Sequence, residues 1–318
     1  TAPILRHRRD PWEAPLMPVA RPSPVTIGML FALGVSFALA ISLNRFAVDD
    51  GVPFQAYVFW QSLGGGVALM LMAAALRRLP PIDFRHLRIF LTTGALNLSF
   101  PYMLLAYLAA KVPASLLTLG LSLVPVMIYA LALTLRQDRF HTLRFGGILL
   151  GLAGILVVLL PQASLPAPGM AGWVALGLLP SLSYAVNAVL VARWRPPETG
   201  SLPLAGGLML ASAGYVLIVM AASGEWWAFG GSFGIGHGAT IGAMANNCVS
   251  FYLVFEVIRR AGPVIFSTVN YIATLSGMGF GMWFFGEAPS VYIWGAVVLM
   301  FAGLFLVTTT GRKEGNRG

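Results

Sequence analysis

The sequence predicts an all-α integral membrane protein with ten transmembrane helices, arranged as two inverted five-helix repeats with both termini in the cytoplasm. Three observations predict this class: the composition, ten apolar segments and the distribution of basic residues. Of the 318 residues, 58% are hydrophobic and only 10% are charged, whereas a soluble domain carries about 25% charged residues. So few charges cannot cover a water-facing surface, so we expect the chain to lie in a lipid bilayer.

The apolar segments have lengths close to the roughly 20 residues that a helix needs to cross a bilayer. Charges, prolines or glycine clusters bound each of them. They are predicted at 25–47, 54–76, 86–109, 113–135, 142–161, 172–193, 202–222, 236–258, 262–285 and 290–310. The remaining parts are predicted to be a flexible cytoplasmic tail at 1–24, a periplasmic linker at 162–171 and a second cytoplasmic tail at 311–318.

Segments rich in basic residues alternate along the chain with segments that have almost none. With the N-terminus in the cytoplasm, all Lys and Arg residues except Arg45 and Lys111 fall in cytoplasmic segments. This bias predicts the orientation, because cytoplasmic loops are enriched in Lys and Arg. The net charge of +9 is therefore expected to meet anionic lipid rather than nucleic acid.

Short matches relate the two halves of the chain. Ala32-Leu33-Gly34 matches Ala175-Leu176-Gly177, and the same spacing relates Asn44 to Asn187. Five helices is an odd number, so a second copy must enter the membrane from the opposite side. We therefore expect two repeats, at 25–161 and 172–310, that are inverted and can exchange conformations to give alternating access.

The residues around the predicted third to fifth helices resemble a known family. They comprise the tract 107–115, Pro125, Gly146-Gly147, Gly151 and Ala153-Gly154, together with Gly286-Glu287 before the last helix. The chain resembles the ten-helix drug/metabolite transporters, which carry two EamA repeats, and is most similar to bacterial exporters of aromatic amino acids. The resemblance implies a bacterial inner-membrane exporter. Two residues depart from the family pattern. Gln137 stands where the first repeat of the family often has glutamate, and Leu275 stands at the position of the second repeat that corresponds to Pro125.

No carboxylate is placed near mid-membrane, where charged groups are costly and often functional. Glu256 is the deepest, and we expect it to pair with Arg259 or Arg260, with a gate as the alternative. We therefore expect facilitated export of amino acids, aromatic or neutral, or of similar small metabolites. A proton-coupled drug or metabolite efflux carrier of the same superfamily is the alternative.

Uncharged polar residues near mid-membrane are the candidates for substrate contact, because an unpaired amide facing lipid is costly. The predicted cavity residues are Asn44, Asn97, Tyr102, Ser122, Tyr184, Asn187, Asn246, Asn247, Asn270 and Tyr271. Hydrogen bonding between helices is the alternative role for these amides. Prolines within predicted helices should kink them and take part in gating, namely Pro101, Pro125 and Pro180.

Other function classes lack the residues that they need. One cysteine, Cys248, and four scattered histidines offer neither a disulfide framework nor a spaced metal motif, so we expect no metal and no cofactor. A membrane transferase would need a catalytic constellation near one interface, and we expect no enzyme. The expected partners are a small-molecule substrate and lipid, without nucleic acid. The glycines Gly147 and Gly151 are compatible with a monomer or a homodimer.

Overall fold

The computed structural model describes residues 23–135, 140–159, 169–194, 196, 199–230, 232–266 and 269–309. All regular secondary structure in these ranges is helical. The predicted tails and the predicted linker, except for residues 23, 24 and 169–171, lie outside the described residues, and so does Gln137.

The described ranges contain thirteen α-helices and one π-helical turn. They are α1 (Pro24–Asp49), α2 (Phe54–Ala75), α3 (Phe84–Thr93), the π-turn (Gly94–Ser99), α4 (Phe100–Ala109), α5 (Ala114–Leu121), α6 (Val124–Thr134), α7 (Thr142–Leu159), α8 (Ala171–Leu176), α9 (Leu179–Trp194), α10 (Ser201–Ser223), α11 (Ile235–Phe266), α12 (Val269–Phe285) and α13 (Val291–Thr309).

Local sequence explains where several helices begin and end. Ser23 precedes α1, and its hydroxyl accepts a hydrogen bond from the Thr26 amide at 3.2 Å. Pro24 fits the first position of that helix because its missing N–H would be unpaired there in any case. α10 ends at Gly224, whose φ of 71° is the left-handed conformation that glycine adopts most easily.

The multi-pass membrane character is confirmed, because several helical stretches are long and apolar enough to cross a bilayer. Six such stretches lie in the described residues: Pro24–Asp49, Phe54–Ala75, Phe84–Ala109, Ala114–Thr134, Ala171–Val191 and Leu202–Ser223. The shorter apolar helices are Phe145–Val158 and Val291–Leu306. Each of the ten predicted segments contains helix, whereas the count of ten spans and the orientation stay predictions.

One predicted boundary is wrong. The eighth predicted segment was expected to end at residue 258, yet α11 continues to Phe266 and passes through Pro263. A proline removes one backbone hydrogen bond, and membrane helices tolerate this when neighbouring groups satisfy the freed carbonyl. The predicted end at residue 258 was drawn directly before the charged residues Arg259 and Arg260, and a boundary placed there ends this helix too early.

Three predicted spans are interrupted. The interruptions are the π-turn, the non-helical pair Ser122-Leu123 between α5 and α6, and the pair Gly177-Leu178 between α8 and α9. A proline follows each of them two residues later, and these are Pro101, Pro125 and Pro180. The missing amide and the clash of the ring with the preceding turn explain the irregular backbone. A role for these prolines in gating stays a prediction.

Helices of the two predicted halves pack against each other in a reciprocal pattern. α2 packs along α10, and α7 packs along α13. α1 lies against α11 and α12, while α9 lies against α4 and α6. A two-fold relation between the halves would produce this pattern, while the inversion of the two repeats stays a prediction.

The contact between α7 and α13 is very close. A Cβ atom added to Gly303 would lie 2.6 Å from the carbonyl oxygen of Gly147 and 3.0 Å from the backbone nitrogen of Gly151. Only glycine allows two backbones to approach in this way. Gly147 and Gly151 therefore contribute to packing within one chain.

Candidate solute-binding cavity

A cavity of about 480 Å³ lies between the two predicted halves, with lining residues from both of them. Much of its wall is apolar and includes Phe37, Ile41, Leu105, Phe251 and Phe266. None of its described lining residues is charged. Its volume falls in the lower part of the range for small-molecule sites, roughly 300 to 1,000 Å³, and it therefore suits a small organic solute.

The structure brings most of the predicted cavity residues together. Those that line the cavity are Asn44, Asn97, Tyr102, Ser122, Tyr184, Asn187 and Asn270, together with Pro125. Pro101 and Pro180 are not among the lining residues. Contact of any of these residues with substrate stays a prediction.

Asn246 and Tyr271 do not line the cavity. Ser36 donates to Oδ1 of Asn246 at 2.6 Å, and Nδ2 of Asn246 donates to the Ser36 carbonyl at 3.1 Å. The Tyr271 hydroxyl donates to the Phe301 carbonyl at 3.5 Å. Both side chains therefore join helices, and for Asn246 this is the alternative role that the sequence analysis gave for the amides.

Asn247 also lies outside the lining but reaches it through one neighbour. Its Nδ2 donates to Oε1 of Gln61 at 3.1 Å, and Gln61 lines the cavity. This contact orients the Gln61 amide, so Asn247 is placed to act on the cavity indirectly.

Sequence reasoning did not select four polar lining residues, which are Gln61, Thr118, Ser250 and Thr274. Gln61 could have been found, because it is an amide within an apolar segment, like the chosen asparagines. The Ser and Thr residues give no such signal, because a hydroxyl in a helix commonly donates to a backbone carbonyl of the same helix. Thr118 donates to the Ala114 carbonyl at 2.6 Å, and Thr274 donates to the Asn270 carbonyl at 2.8 Å.

Three amide atoms of lining residues are buried without a hydrogen-bond partner. They are Oδ1 of Asn44, Nε2 of Gln61 and Oδ1 of Asn187. The exposed fraction is 5% for Asn44, 1% for Gln61 and 9% for Asn187. A buried polar group without a partner costs about 1–3 kcal/mol, and these three atoms have almost no exposed surface themselves.

A second cluster lies at the helix ends of the predicted outer face, and we call it the outer latch. It consists of Arg45, Glu287 and the backbone amides of Ala114 and Ser115. Nη1 of Arg45 donates to Oε1 of Glu287 at 2.7 Å. The two amides donate to the same carboxylate at 2.7 and 3.1 Å. One carboxylate thus connects α1, the first turn of α5 and the segment before α13.

The outer latch is largely shielded from solvent. The Glu287 side chain is 8% exposed and that of Arg45 is 24% exposed. The Arg45 guanidinium also lies 4.0 Å from the centre of the Phe285 ring, which favours a cation over the ring face. Two features of the sequence point to this cluster: the pair Gly286-Glu287, and the rarity of basic residues on this face.

Contacts at the predicted cytoplasmic face are of a different kind. Asp83 precedes α3 and accepts from the His86 amide at 2.8 Å and from the His86 ring nitrogen at 2.7 Å. These bonds, the amide bond first, hold the pKa of Asp83 below its usual value. Among the described residues, Glu256 pairs with Arg260 within α11, so that pair connects no second helix.

Comparisons with known proteins agree with the helical fold and with the motifs. Residues 25–160 match the EamA-like transporter family. Protein PecM of Dickeya dadantii (strain 3937) is 24% identical over 248 residues, which are 78% of this chain and 80% of that protein. A WAT1-related protein of Arabidopsis thaliana is 37% identical over 86 residues, which are 26% of this chain and 23% of that protein.

A solved structure shows the same fold. A crystal structure of a protein with 18% sequence identity aligns with a TM-score of 0.59, over 91% of this chain and 99% of its own. The family match and the two relatives confirm the predicted resemblance to EamA-type drug/metabolite transporters, while the narrower likeness to aromatic amino-acid exporters stays a prediction. The chain carries an EamA-like transporter domain at residues 25–160.

Proposed function

We propose that this transporter exports small neutral or zwitterionic solutes, amino acids foremost, out of the bacterial cytoplasm. The observation that carries the proposal is the cavity of about 480 Å³, with lining residues from both predicted halves. Its polar groups are amides and hydroxyls in a mostly apolar wall, as a small amphipathic solute requires.

The charge of the lining favours this substrate class. A cationic drug would need an intramembrane carboxylate, and a nucleotide would need Arg or Lys near its phosphates. The described lining residues offer neither. A neutral amino acid is a zwitterion without net charge, and its aliphatic or aromatic side chain can pack against the apolar wall.

Alternating access follows from two halves that exchange conformations around one cavity. The reciprocal packing of α1 and α9 against the opposite half supports such an exchange. The outer latch holds together the predicted outer ends of α1 and α5 and the segment before α13. Opening to that side requires these elements to separate, so the latch opposes release until the conformation changes.

Facilitated export is favoured over proton exchange. A proton-coupled carrier of this kind would be expected to hold a titratable carboxylate beside its substrate, and the described lining residues include none. Amino acids would therefore leave the cell down their own gradients.

Counterflow in liposomes tests the proposal. Purified protein is reconstituted with unlabelled amino acid inside, and entry of labelled neutral, aromatic and charged amino acids and of a quaternary ammonium drug is measured. We expect counterflow of neutral or aromatic amino acids, without accumulation in response to a pH gradient. Absence of amino-acid counterflow would refute the substrate class, and proton-driven accumulation would refute facilitated export.

A further inference from the structure

We infer that one segment of the predicted cytoplasmic face binds the headgroups of anionic phospholipids. The segment covers residues 76–88, from the end of α2 through the first turns of α3, and we call it the headgroup surface. It carries four exposed arginines, which are Arg77, Arg78, Arg85 and Arg88. The inference goes beyond the transported solute and does not depend on it.

Large apolar side chains of the headgroup surface are exposed beside the arginines. Ile82 is fully exposed and Phe84 is 76% exposed, and Leu79 and Leu87 are exposed as well. Residues that connect two membrane-crossing stretches, here Phe54–Ala75 and Phe84–Ala109, lie at the bilayer surface. At that depth apolar side chains reach the acyl chains while basic side chains stay among the headgroups.

The charge of the headgroup surface favours an anionic lipid. In the described part of the chain, no carboxylate forms an ion pair with any of its arginines. Asp83 is the one acidic residue between them, and its Oδ1 contacts the His86 ring nitrogen at 2.7 Å. A guanidinium group can bind a phosphate through two parallel hydrogen bonds, so a phospholipid phosphate complements the unpaired arginines.

The backbone of Arg77 is a second, independent observation. Its φ of 53° lies in the left-handed region, which glycine adopts most easily at the end of a helix. The amides of Arg77 and Arg78 donate to carbonyls of the last turn of α2 at 2.9 and 2.8 Å, so the end of the helix fixes this conformation. An arginine is strained where glycine would not be, and a headgroup bound by its side chain would offset the strain.

α3 connects the headgroup surface to the second predicted half. Ile89 is fully buried in a hydrophobic cluster with residues of α10. The buried His86 ring lies 2.7 Å from the Thr199 hydroxyl, just before α10. The Arg88 guanidinium lies 4.7 Å from the centre of the Trp194 ring of α9. A headgroup bound to the exposed side of α3 therefore stabilises a helix that packs on α9 and α10, and the unfolding temperature should report the binding.

Thermal unfolding of the purified full-length protein in detergent measures this binding. The protein is titrated with phosphatidylglycerol, with phosphatidylcholine of the same acyl chains, and with sodium phosphate. The measured quantity is the concentration that gives half of the maximal rise in unfolding temperature. We expect phosphatidylglycerol to act at a lower concentration than phosphatidylcholine. Phosphate should have no effect at these concentrations, because it has no acyl chains for the apolar side chains to contact.

Single substitutions locate the binding on the headgroup surface. An arginine near an anionic surface contributes about fivefold to affinity, so Arg85→Gln should weaken phosphatidylglycerol by about that factor and leave phosphatidylcholine unchanged. Lys111→Gln is the matched control, because it removes one positive charge from an exposed residue on the predicted outer face, and it should change neither lipid. Ile82→Ser should weaken both lipids in the same proportion, since its contact does not depend on headgroup charge.

Arg77→Gly separates headgroup binding from a loss of folding. Glycine relieves the left-handed strain, so this variant should unfold at a higher temperature than the parent when no lipid is added. It should nevertheless need about fivefold more phosphatidylglycerol than the parent. A variant that merely damaged the fold would not show both effects.

Three results would overturn the inference. The first is equal action of phosphatidylglycerol and phosphatidylcholine on the parent. The second is stabilisation by sodium phosphate at the concentrations at which phosphatidylglycerol acts, which would indicate a site for the free anion. The third is an equal effect of Arg85→Gln and Lys111→Gln on phosphatidylglycerol, which would assign the binding to the charge of the whole protein.

Discussion

Replacing Glu287 by Gln should weaken the closed state of the predicted outer face. The carboxylate accepts from Arg45 and from two amides of α5 at distances of 2.7–3.1 Å. Glutamine keeps one acceptor but removes the closer of the two carboxylates beside Arg45, while Asp49 remains 3.5 Å from its Nε. Removing one partner of a buried ion pair costs about 3–5 kcal/mol. Arg45 is 24% exposed, so solvent compensates part of this cost and we expect a loss of about 2 kcal/mol.

A loss of about 2 kcal/mol changes the ratio of outward-open to outward-closed protein by roughly thirtyfold. The ratio can be measured with a thiol in the cavity. Ala40 lines it, and Ala40→Cys in a Cys248→Ser background provides a single reactive site. A membrane-impermeant maleimide added from the outside should label the Glu287→Gln variant roughly thirty times faster than the parent.

A matched control removes an exposed carboxylate on the same predicted face. Glu225 is exposed between α10 and α11, so Glu225→Gln should leave outside labelling unchanged. If Glu287→Gln labels at the same rate as Glu225→Gln and the parent while both variants remain folded, the outer latch does not control access.

Three further predictions follow from individual contacts. Exchanging the charges as Arg45→Glu with Glu287→Arg should not restore the outward-closed state in the maleimide assay, because an arginine cannot accept from the α5 amides; restored closure would contradict the capping role. Gly303→Ala should lower the unfolding temperature in detergent by overpacking the contact between α7 and α13, at a cost of about 1–3 kcal/mol, whereas Gly295→Ala, with open space around it, should not. The pKa of Asp83 is lowered in the folded protein, so the stabilisation by its carboxylate is present above the unfolded pKa of about 3.9 and is lost as the pH falls through the folded pKa. The parent should therefore unfold at a higher temperature than Asp83→Ala at pH 6, and this difference should disappear in strong acid. A difference that persists in strong acid would refute the assignment.

Helix positions were largely predictable from the sequence, because the bilayer imposes a length and an apolar composition on every span. Each predicted segment contains helix. The end of α11 was missed because Arg259 and Arg260 indicate the end of an apolar span, although the helix continues through them and through Pro263 to Phe266. The interruptions in three spans were better anticipated, since each precedes a proline.

The cavity was only partly predictable. Amides stand out in an apolar segment, which identified Asn44, Asn97 and Asn187 as candidates. Sequence alone could not separate an amide that lines the cavity from one that joins two helices, as Asn246 does through Ser36. That distinction depends on which helix lies opposite.

The outer latch depends on contacts that are distant in sequence. Arg45 and Glu287 belong to different halves of the chain, and the amides that complete the cluster belong to Ala114 and Ser115. Backbone amides have no sequence signal. The convergence of all four groups on one carboxylate could be seen only in the folded structure.

Trans-stimulation of transport tests alternating access through this cavity most directly. Entry of labelled phenylalanine into liposomes is compared with and without unlabelled phenylalanine inside, for the parent and for Ala40→Trp, which places a large side chain in the cavity wall. We predict faster entry when unlabelled substrate is inside, and loss of entry in Ala40→Trp. Entry that is independent of internal substrate and unaffected by Ala40→Trp would contradict transport through this cavity.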